Sequence, residues 1–371
     1  MKPFDVSKYL KKNPAPRLAA ADNFRVAVVI PAYDENENIQ TVLTSVQHAA
    51  EIAGVKILTI LVINYPAGSD PAQSVELLSR WQSGTLPADQ VIFLPELAGG
   101  VGAARKAGMD AFIHTLPPEE MEKSVIYSLD ADTLAGENYF RDTLDEILKG
   151  GAVSIPFSHQ KADDPDAQKA ISHYEAYMTR YVQKLSYAGS PYAFYTIGSA
   201  FAVRCDAYIR AGGMKIRQAG EDFYFLQAAA KSSTVRQLTG EALVFPSPRI
   251  SARVPFGTGP AVASLLAGNK LNEIPDHAFE ELKLLLDLSR QDQWLKNAAS
   301  NREILSPGTR DFLKKEGFFN IWEKVCKNLP DSAEKRQKSF NEWFDGLKTL
   351  KFLHFFSDLN NFDIDKKLFK C

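Results

Sequence analysis

The chain reads as an α/β protein: a doubly wound, mostly parallel sheet followed by a C-terminal helical region. Three observations predict it. Residues 26–30, 57–63 and 125–129 are apolar runs without alternation, the pattern of strands buried on both faces. Between them, apolar residues recur at the helical period, so strands alternate with helices as a parallel sheet requires. From about residue 261 the strand signal stops, and Leu282, Leu285 and Leu286, then Phe340, Trp343, Phe344 and Leu347, fall at helical spacing. The expected division is a lead-in over residues 1–24, a sheet domain over 25–260 and a helical region over 261–371.

The elements follow in order. The lead-in carries Lys2, Lys8, Lys11, Lys12, Pro14 and Pro16 with little periodicity and reads as a strap rather than a core element. The first strand is closed by Pro31. Asn36 or Asn38 is placed to cap a helix in which Ile39, Val42, Leu43 and Val46 keep the helical period. The second strand ends at Asn64, before a loop with Pro66, Gly68 and Pro71; helix 72–82 and strand 91–94 complete the first half. After strand 125–129 come a helix over 137–149, a strand over 152–156 and a long helix over 165–187. The tyrosines of that helix, Tyr174, Tyr177, Tyr181 and Tyr187, suit a core and its rim. A strand over 196–203 contains Gly198-Ser199 near its start, a short helix ends at Gly212-Gly213, and another begins at Glu221-Asp222.

With 371 residues, 45% hydrophobic and 24% charged, the chain can bury a large core. A formal net charge of -2 leaves no electrostatic footprint for nucleic acid or for an anionic membrane. Cys205, Cys326 and Cys371 lie far apart without CxxC spacing, which fits reduced thiols and a cytoplasmic setting. No basic start precedes an apolar stretch and no apolar run reaches bilayer length, so neither a secretion signal nor a transmembrane helix is expected. The aromatic stripe over 340–356 offers peripheral contact with the inner membrane face as an alternative, but a buried helix face explains it better. The six histidines form no metal-ligand or triad-like spacing.

Chemistry concentrates where strand 125–129 ends in Asp130 and Asp132. In an open α/β sheet the carboxyl ends of the strands face the ligand crevice. Two carboxylates so close repel unless a cation or a proton intervenes, and magnesium usually takes one or two carboxylates plus phosphate oxygens. The competing reading is an acidic loop. A glycine-rich turn over 98–108 opens a helix, and such turns bind phosphate through backbone N–H groups. It departs from the dinucleotide fingerprint, because Arg105 stands where a small residue is required and the turn follows the third strand, not the first. A nicotinamide-dependent dehydrogenase stays as an alternative on this turn, and a glycine loop that merely eases a tight strand-to-helix turn competes strongly with any phosphate-binding role. Glu221-Asp222 sits at a helix start, where the dipole favours ionised acids. The Pro/Gly-rich loop over 246–260 carries Arg249 and Arg253; it is either a connector or a functional loop that closes on negative charge and is mobile before it does so.

Taken together, Val29-Ile30-Pro31-Ala32-Tyr33-Asp34-Glu35, Gly102-x-x-x-Arg105-x-x-Gly108, Leu129-Asp130-Ala131-Asp132, Gly198-Ser199 and Glu221-Asp222 resemble family 2 glycosyltransferases of the GT-A fold. The resemblance covers about residues 25–245 and leaves the helical tail outside. It implies a GT-A-like sheet and a nucleotide-diphosphate sugar donor, a UDP- or GDP-sugar. Pro31, Tyr33 and Glu35 would lie near base and ribose, Arg105 near base or diphosphate, and Asp130 and Asp132 would hold ribose and a Mg²⁺ or Mn²⁺ ion. Asp222 would deprotonate the acceptor hydroxyl in an inverting transfer. Gly198, Ser199 and Glu221 would meet the diphosphate or the acceptor, a small molecule or glycan, an anionic one included; Arg249 and Arg253 lie beyond the resemblance and are candidates for the same contacts by their charge and their place in the loop.

Two features differ from the family pattern. Asn64-Tyr65-Pro66 stands where an aspartate usually reads uracil, which leaves the donor base open, with Asn64 as the residue in that place. The Gln-x-x-Arg-Trp motif and membrane spans of processive synthases are absent, so a single-addition transferase is expected. A sugar nucleotidyltransferase would also use paired acids and magnesium, but it needs no base at Asp222 and usually begins with a Gly-rich, basic first loop. A non-catalytic nucleotide-binding relative is the third alternative, and both acid pairs speak against it.

Overall fold

The computed structural model describes residues 5–19, 23–249 and 257–357. These divide into two compact units: residues between 5 and 175 together with those between 194 and 268, and residues between 176 and 193 together with those from 269 onward.

The first unit is built on strands β1 (Val26–Ala32), β2 (Ile57–Asn64), β3 (Gln90–Leu94), β4 (Val125–Ser128), β5 (Thr133–Ala135), β6 (Gly151–Ser154), β7 (Phe201–Arg204), β8 (Thr234–Gln237) and β9 (Val244–Pro246). Seven of them form one sheet in the order β3-β2-β1-β4-β7-β6-β8, and β5 pairs with β9 separately. Within the seven, β7 runs against both its neighbours while the remaining pairs are parallel, so the sheet is mostly parallel as expected. The chain leaves β1 toward β2 and β3 and then returns to the other side of β1 as β4. That reversal of strand order opens a crevice at the carboxyl ends of β1 and β4, where ligands of such sheets bind.

Its helices are α1 (Val6–Lys12), α2 (Ile39–Ala53), α3 (Ala72–Gln82), α4 (Gly100–Ile113), α5 (Leu144–Gly150), α6 (Pro165–Tyr187), whose last turns belong to the second unit, α7 (Cys205–Arg210), α8 (Glu221–Ser232) and α9 (Thr258–Leu266). Helix α4 lies unusually close to the sheet: a Cβ on Gly108 would sit 2.5 Å from Val29 Cγ1 and 2.8 Å from Val62 Cγ2. Any side chain there would push the helix outward.

The structure corrects four local expectations, and the first is the strand over 196–203, which begins only at Phe201 as β7 and leaves Gly198 and Ser199 in the turn before it. The lead-in is no mere strap, because residues 6–12 form α1, with Val6 and Tyr9 buried. Tyr9 donates to Asp110 Oδ1 at 2.7 Å, Tyr208 donates to the same oxygen at 2.8 Å, and Lys106 Nζ donates to Asp110 Oδ2 at 2.7 Å. A buried carboxylate needs such partners, and α1 supplies one of them. Neither asparagine caps α2: Asn38 stands at the cap position but reaches Glu35 Oε2 at 3.4 Å, and Asn36 donates to Gln73 O and Glu76. The helix expected over 137–149 is helical only from Leu144, as α5, and turns occupy the first half.

The second unit is helical: α10 (Asp276–Ser289), α11 (Asp292–Lys296), α12 (Pro307–Lys315), α13 (Phe318–Asn328), α14 (Ala333–Trp343) and α15 (Gly346–Phe356). The aromatic stripe supplies its core, since Phe340, Phe344, Phe352 and Leu353 are buried with Phe318 and Trp322. A break after α14 lets Asp345 cap α15 by accepting the Lys348 N–H at 3.1 Å. Among the described residues no helix is long and apolar enough to cross a membrane.

Gly108→Ala tests the close packing of α4. A Cβ at 2.5 and 2.8 Å from two stiff valine side chains calls for the upper part of the ~1–3 kcal/mol that overpacking costs, above the ~1 kcal/mol that alanine gains in helix propensity. Chemical denaturation should therefore find the variant less stable than the native chain; equal or greater stability would mean that α4 stands off the sheet.

Candidate active site

A buried arginine assembles the crevice. Arg105, on the second turn of α4, is 2% exposed. Its Nη2 donates to Asp130 Oδ1 at 2.5 Å, its Nε to Glu221 Oε1 at 3.0 Å and its Nη1 to Ser128 Oγ at 2.8 Å. Ser128 in turn donates to the Gly198 carbonyl at 2.7 Å. Burial works against the guanidinium charge, but Asp130 and Glu221 outweigh it and hold Arg105 protonated. Planar donors that point three ways suit this junction better than a lysine ammonium.

Glycines make room for it. A Cβ on Gly198 would collide with Arg105 Nη2, so this position leaves space for the guanidinium, and Ser199 beside it is buried. The glycine-rich turn has a similar task. Gly102 donates its N–H to Arg217 O at 3.2 Å, and a Cβ there would stand 2.7 Å from that oxygen. Gly100, at φ +62°, lies against Gln218 in the same way. The turn is thus a seat for residues 215–218, which lead directly into α8, and not an open phosphate cradle. This seat brings α8 to α4, and with it Glu221 to Arg105.

Asp222 follows Glu221 in the first turn of α8. Partly buried, it accepts the Phe223 N–H at 2.7 Å. Burial first, and the Glu221 charge second, push its carboxyl up to about 8. Burial raises Glu221 as well, against the opposing pull of Arg105.

Across the crevice, β4 delivers Asp130 and Asp132. Burial, with the Asp130 charge next, pushes Asp132 up to about 6, although Arg249 pulls the other way. The backbone at Asp132 is fixed from two sides. Thr133 opens β5 opposite Pro246 of β9, and Gln160 Nε2 donates to both Asp132 O at 3.2 Å and Phe245 O at 2.8 Å. Gln160 is not among the residues the sequence singles out; its signal is only three-dimensional.

The end of β1 supplies Pro31, Tyr33 and Glu35, the last 6% exposed. Asn64, at the end of β2, gives its amide protons to Ala32 O at 3.3 Å and Val62 O at 3.1 Å. Arg249, just beyond β9, joins Glu35 and meets Asp132 Oδ2 at 2.8 Å. Arg253 lies outside the described residues.

The chemistry of this donor set fits a hard divalent cation. Five carboxylates, Glu35, Asp130, Asp132, Glu221 and Asp222, face two guanidinium groups, and beyond their burial Asp132 and Asp222 each feel the charge of a neighbouring carboxylate, Asp130 and Glu221. Among the described residues no three His, Cys, Asp or Glu side chains form a ready-made metal cage. Magnesium-type sites need none, because one or two carboxylates suffice when substrate phosphates complete the shell.

Replacing Arg105 by Met should cost ~3–5 kcal/mol near pH 7, because Glu221 is left buried and unpaired. Without its counter-ion Glu221 titrates still higher, so the native state binds protons more readily than the unfolded chain and stability recovers as the pH falls. Denaturation at pH 7 and pH 5 checks this; a cost that does not shrink at pH 5 contradicts it.

Residues 27–211 match the family described as Glycosyl transferase family 2. No curated protein sequence matches the chain. Among solved structures, S. aureus TarS 1-349 in complex with UDP-GlcNAc is similar at 12% identity and TM-score 0.43, with 86% of this chain and 90% of that one covered. The mannosyltransferase PcManGT from Pyrobaculum calidifontis, in complex with GDP-Man and Mn²⁺, is similar at 14% identity and TM-score 0.41, covering 91% and 92%. Glucosyl-3-phosphoglycerate synthase from Mycobacterium tuberculosis, with Mn²⁺, UDP and phosphoglyceric acid, is similar at 14% identity and TM-score 0.36, covering 64% and 73%. With the doubly wound GT-A-like sheet in place and the match over residues 27–211, the chain belongs to glycosyl transferase family 2.

Proposed function

We propose that this glycosyltransferase is metal-dependent and inverting, and that it moves one sugar from a nucleotide-diphosphate sugar to an acceptor hydroxyl. The supporting observation is the division of acids around Arg105: Asp130 and Asp132 at the end of β4 on one side, Glu221 and Asp222 at the head of α8 on the other.

Each set suits a different task. A Mg²⁺ or Mn²⁺ ion held by Asp130 and Asp132 would supply charge neutralisation for the leaving diphosphate. Asp222, whose carboxyl sits near 8, is matched to proton abstraction near neutral pH. As the acceptor oxygen forms its bond to the anomeric carbon, Asp222 takes the hydroxyl proton and the diphosphate departs from the opposite face with the bonding electrons. Pro31, Tyr33, Glu35 and Asn64 line the donor side. With both amide protons of Asn64 committed to backbone carbonyls, only its acceptor oxygen remains, which suits the ring N–H that uracil and guanine share. Arg105 orients Asp130 and Glu221 from beneath in the space that Gly198 leaves. Gly198, Ser199, Glu221, Arg249 and Arg253 are assigned to the acceptor or diphosphate.

Asp132→Ala should abolish turnover and leave the fold intact, and a chelator should silence the native enzyme; chelator-insensitive activity removes the metal from this scheme. The base role gives a pH dependence of definite sign. A carboxyl that titrates near 8 must lose its proton to act, so kcat/KM should rise with pH through that region. Asp222→Asn should lower the rate by ~10²–10⁴ and flatten that profile, with donor affinity nearly unchanged. A variant that loses donor binding but keeps the chemical rate takes Asp222 out of the role.

A further inference from the structure

The two arginines of the site are built differently. Arg105 spends Nε, Nη1 and Nη2 on three separate partners. Arg249 makes both its acid contacts through Nη2, to Glu35 and to Asp132, and its Nε is buried without a hydrogen-bond partner among the described residues. A buried, unpaired N–H is costly, so the seat between Glu35 and Asp132 is not shaped around a guanidinium in the way that the Arg105 seat is. The carboxylates, by contrast, are firmly placed. Glu35 follows β1, and the Asp132 backbone is locked by the β5–β9 pairing and by Gln160. Arg249 stands three residues past the end of β9, and its side chain is one-third exposed, so it can leave Asp132 without disturbing that pairing.

We propose that Arg249 and the divalent cation are alternative partners of Asp132: the cation binds by displacing the guanidinium, and the displaced arginine turns to the donor diphosphate. The inference rests on the metal reading given under Proposed function. A guanidinium on an oxygen of the same carboxylate would repel an arriving dication, and a flexible arginine is well suited to the charge of a diphosphate. Metal entry and diphosphate capture then become one coupled event, because the apparent affinity of Asp132 for the cation is its intrinsic affinity multiplied by the fraction of molecules in which Arg249 has left it.

The test is Mn²⁺ binding to the full chain without nucleotide, followed by the electron paramagnetic resonance signal of the free ion. Arg249→Met should bind Mn²⁺ about tenfold or more tightly than the native chain, and Asp132→Asn should lose the site. Arg217→Met controls for bulk charge, since Arg217 lies over the Tyr224 ring at 3.8 Å and forms no described ion pair with the acids; it should leave the affinity unchanged. Added UDP or GDP should strengthen Mn²⁺ binding more in the native chain than in Arg249→Met, which has no arginine to redeploy. If Arg249→Met binds Mn²⁺ no better than the native chain while Asp132→Asn still abolishes binding, the metal reading stands and the exchange is overturned. Equal tightening in the Arg217 control also overturns it. No Mn²⁺ binding to either native chain or Arg249→Met brings down the metal reading and the exchange together.

Discussion

One buried cation constrains the first unit more than any other group. Arg105 can occupy the interior only because Asp130, Glu221 and Ser128 take up its donors. These partners arrive on β4 and α8, so satisfying one guanidinium fixes the ends of both elements against α4. The glycines follow from the same requirement. Gly108 lets α4 lie low on β1 and β2, Gly102 admits the segment that carries α8 inward, and Gly198 yields the volume the guanidinium fills. An electrostatic demand is thus met by an absence of side chains at three points, one of them far from the others in the sequence.

The same arginine divides the acids into two groups with different consequences. Asp130 and Asp132 remain partly accessible at the mouth of the crevice, while Glu221 is nearly sealed and Asp222 lies next to it. Two guanidinium groups cannot neutralise five carboxylates; burial first, and this surplus of negative charge second, keep Asp132 and Asp222 above their ordinary titration range. That surplus is poor for stability, and in the proposed scheme it would attract a dication on one side and tune a proton acceptor on the other. Arg249 moderates the surplus at Asp132 without matching the seat as Arg105 matches its own.

Much of this is legible in the sequence where a pattern is local. Unbroken apolar runs mark the central strands to within a residue or two, and the exit of 125–129 into Asp130 and Asp132 marks the mouth of the crevice. Helix 165–187 and the helical tail follow from periodicity alone. What stays hidden depends on contacts between distant segments. Three of the seven residues of α1 are lysines, and only the pairing of Tyr9 with Asp110 explains the place of this helix in the core. The glycine turn looks like a phosphate loop until residues 215–218 are seen filling it. Gln160 carries no motif, yet it pins the backbone of Asp132. Asn36 and Asn38 have capping side chains by type, but each finds a better partner elsewhere.

The central claim is that the sugar moves in a single displacement with Asp222 as base, and the anomeric configuration of the first product tests it most directly. Nuclear magnetic resonance of the transferred sugar, or of sugar released to water before mutarotation, reads that configuration in early turnovers. The account predicts inversion relative to the donor. Retention would mean a second displacement or attack from the face the diphosphate leaves, neither of which uses Asp222 as the base of a single inverting step, and would contradict the account.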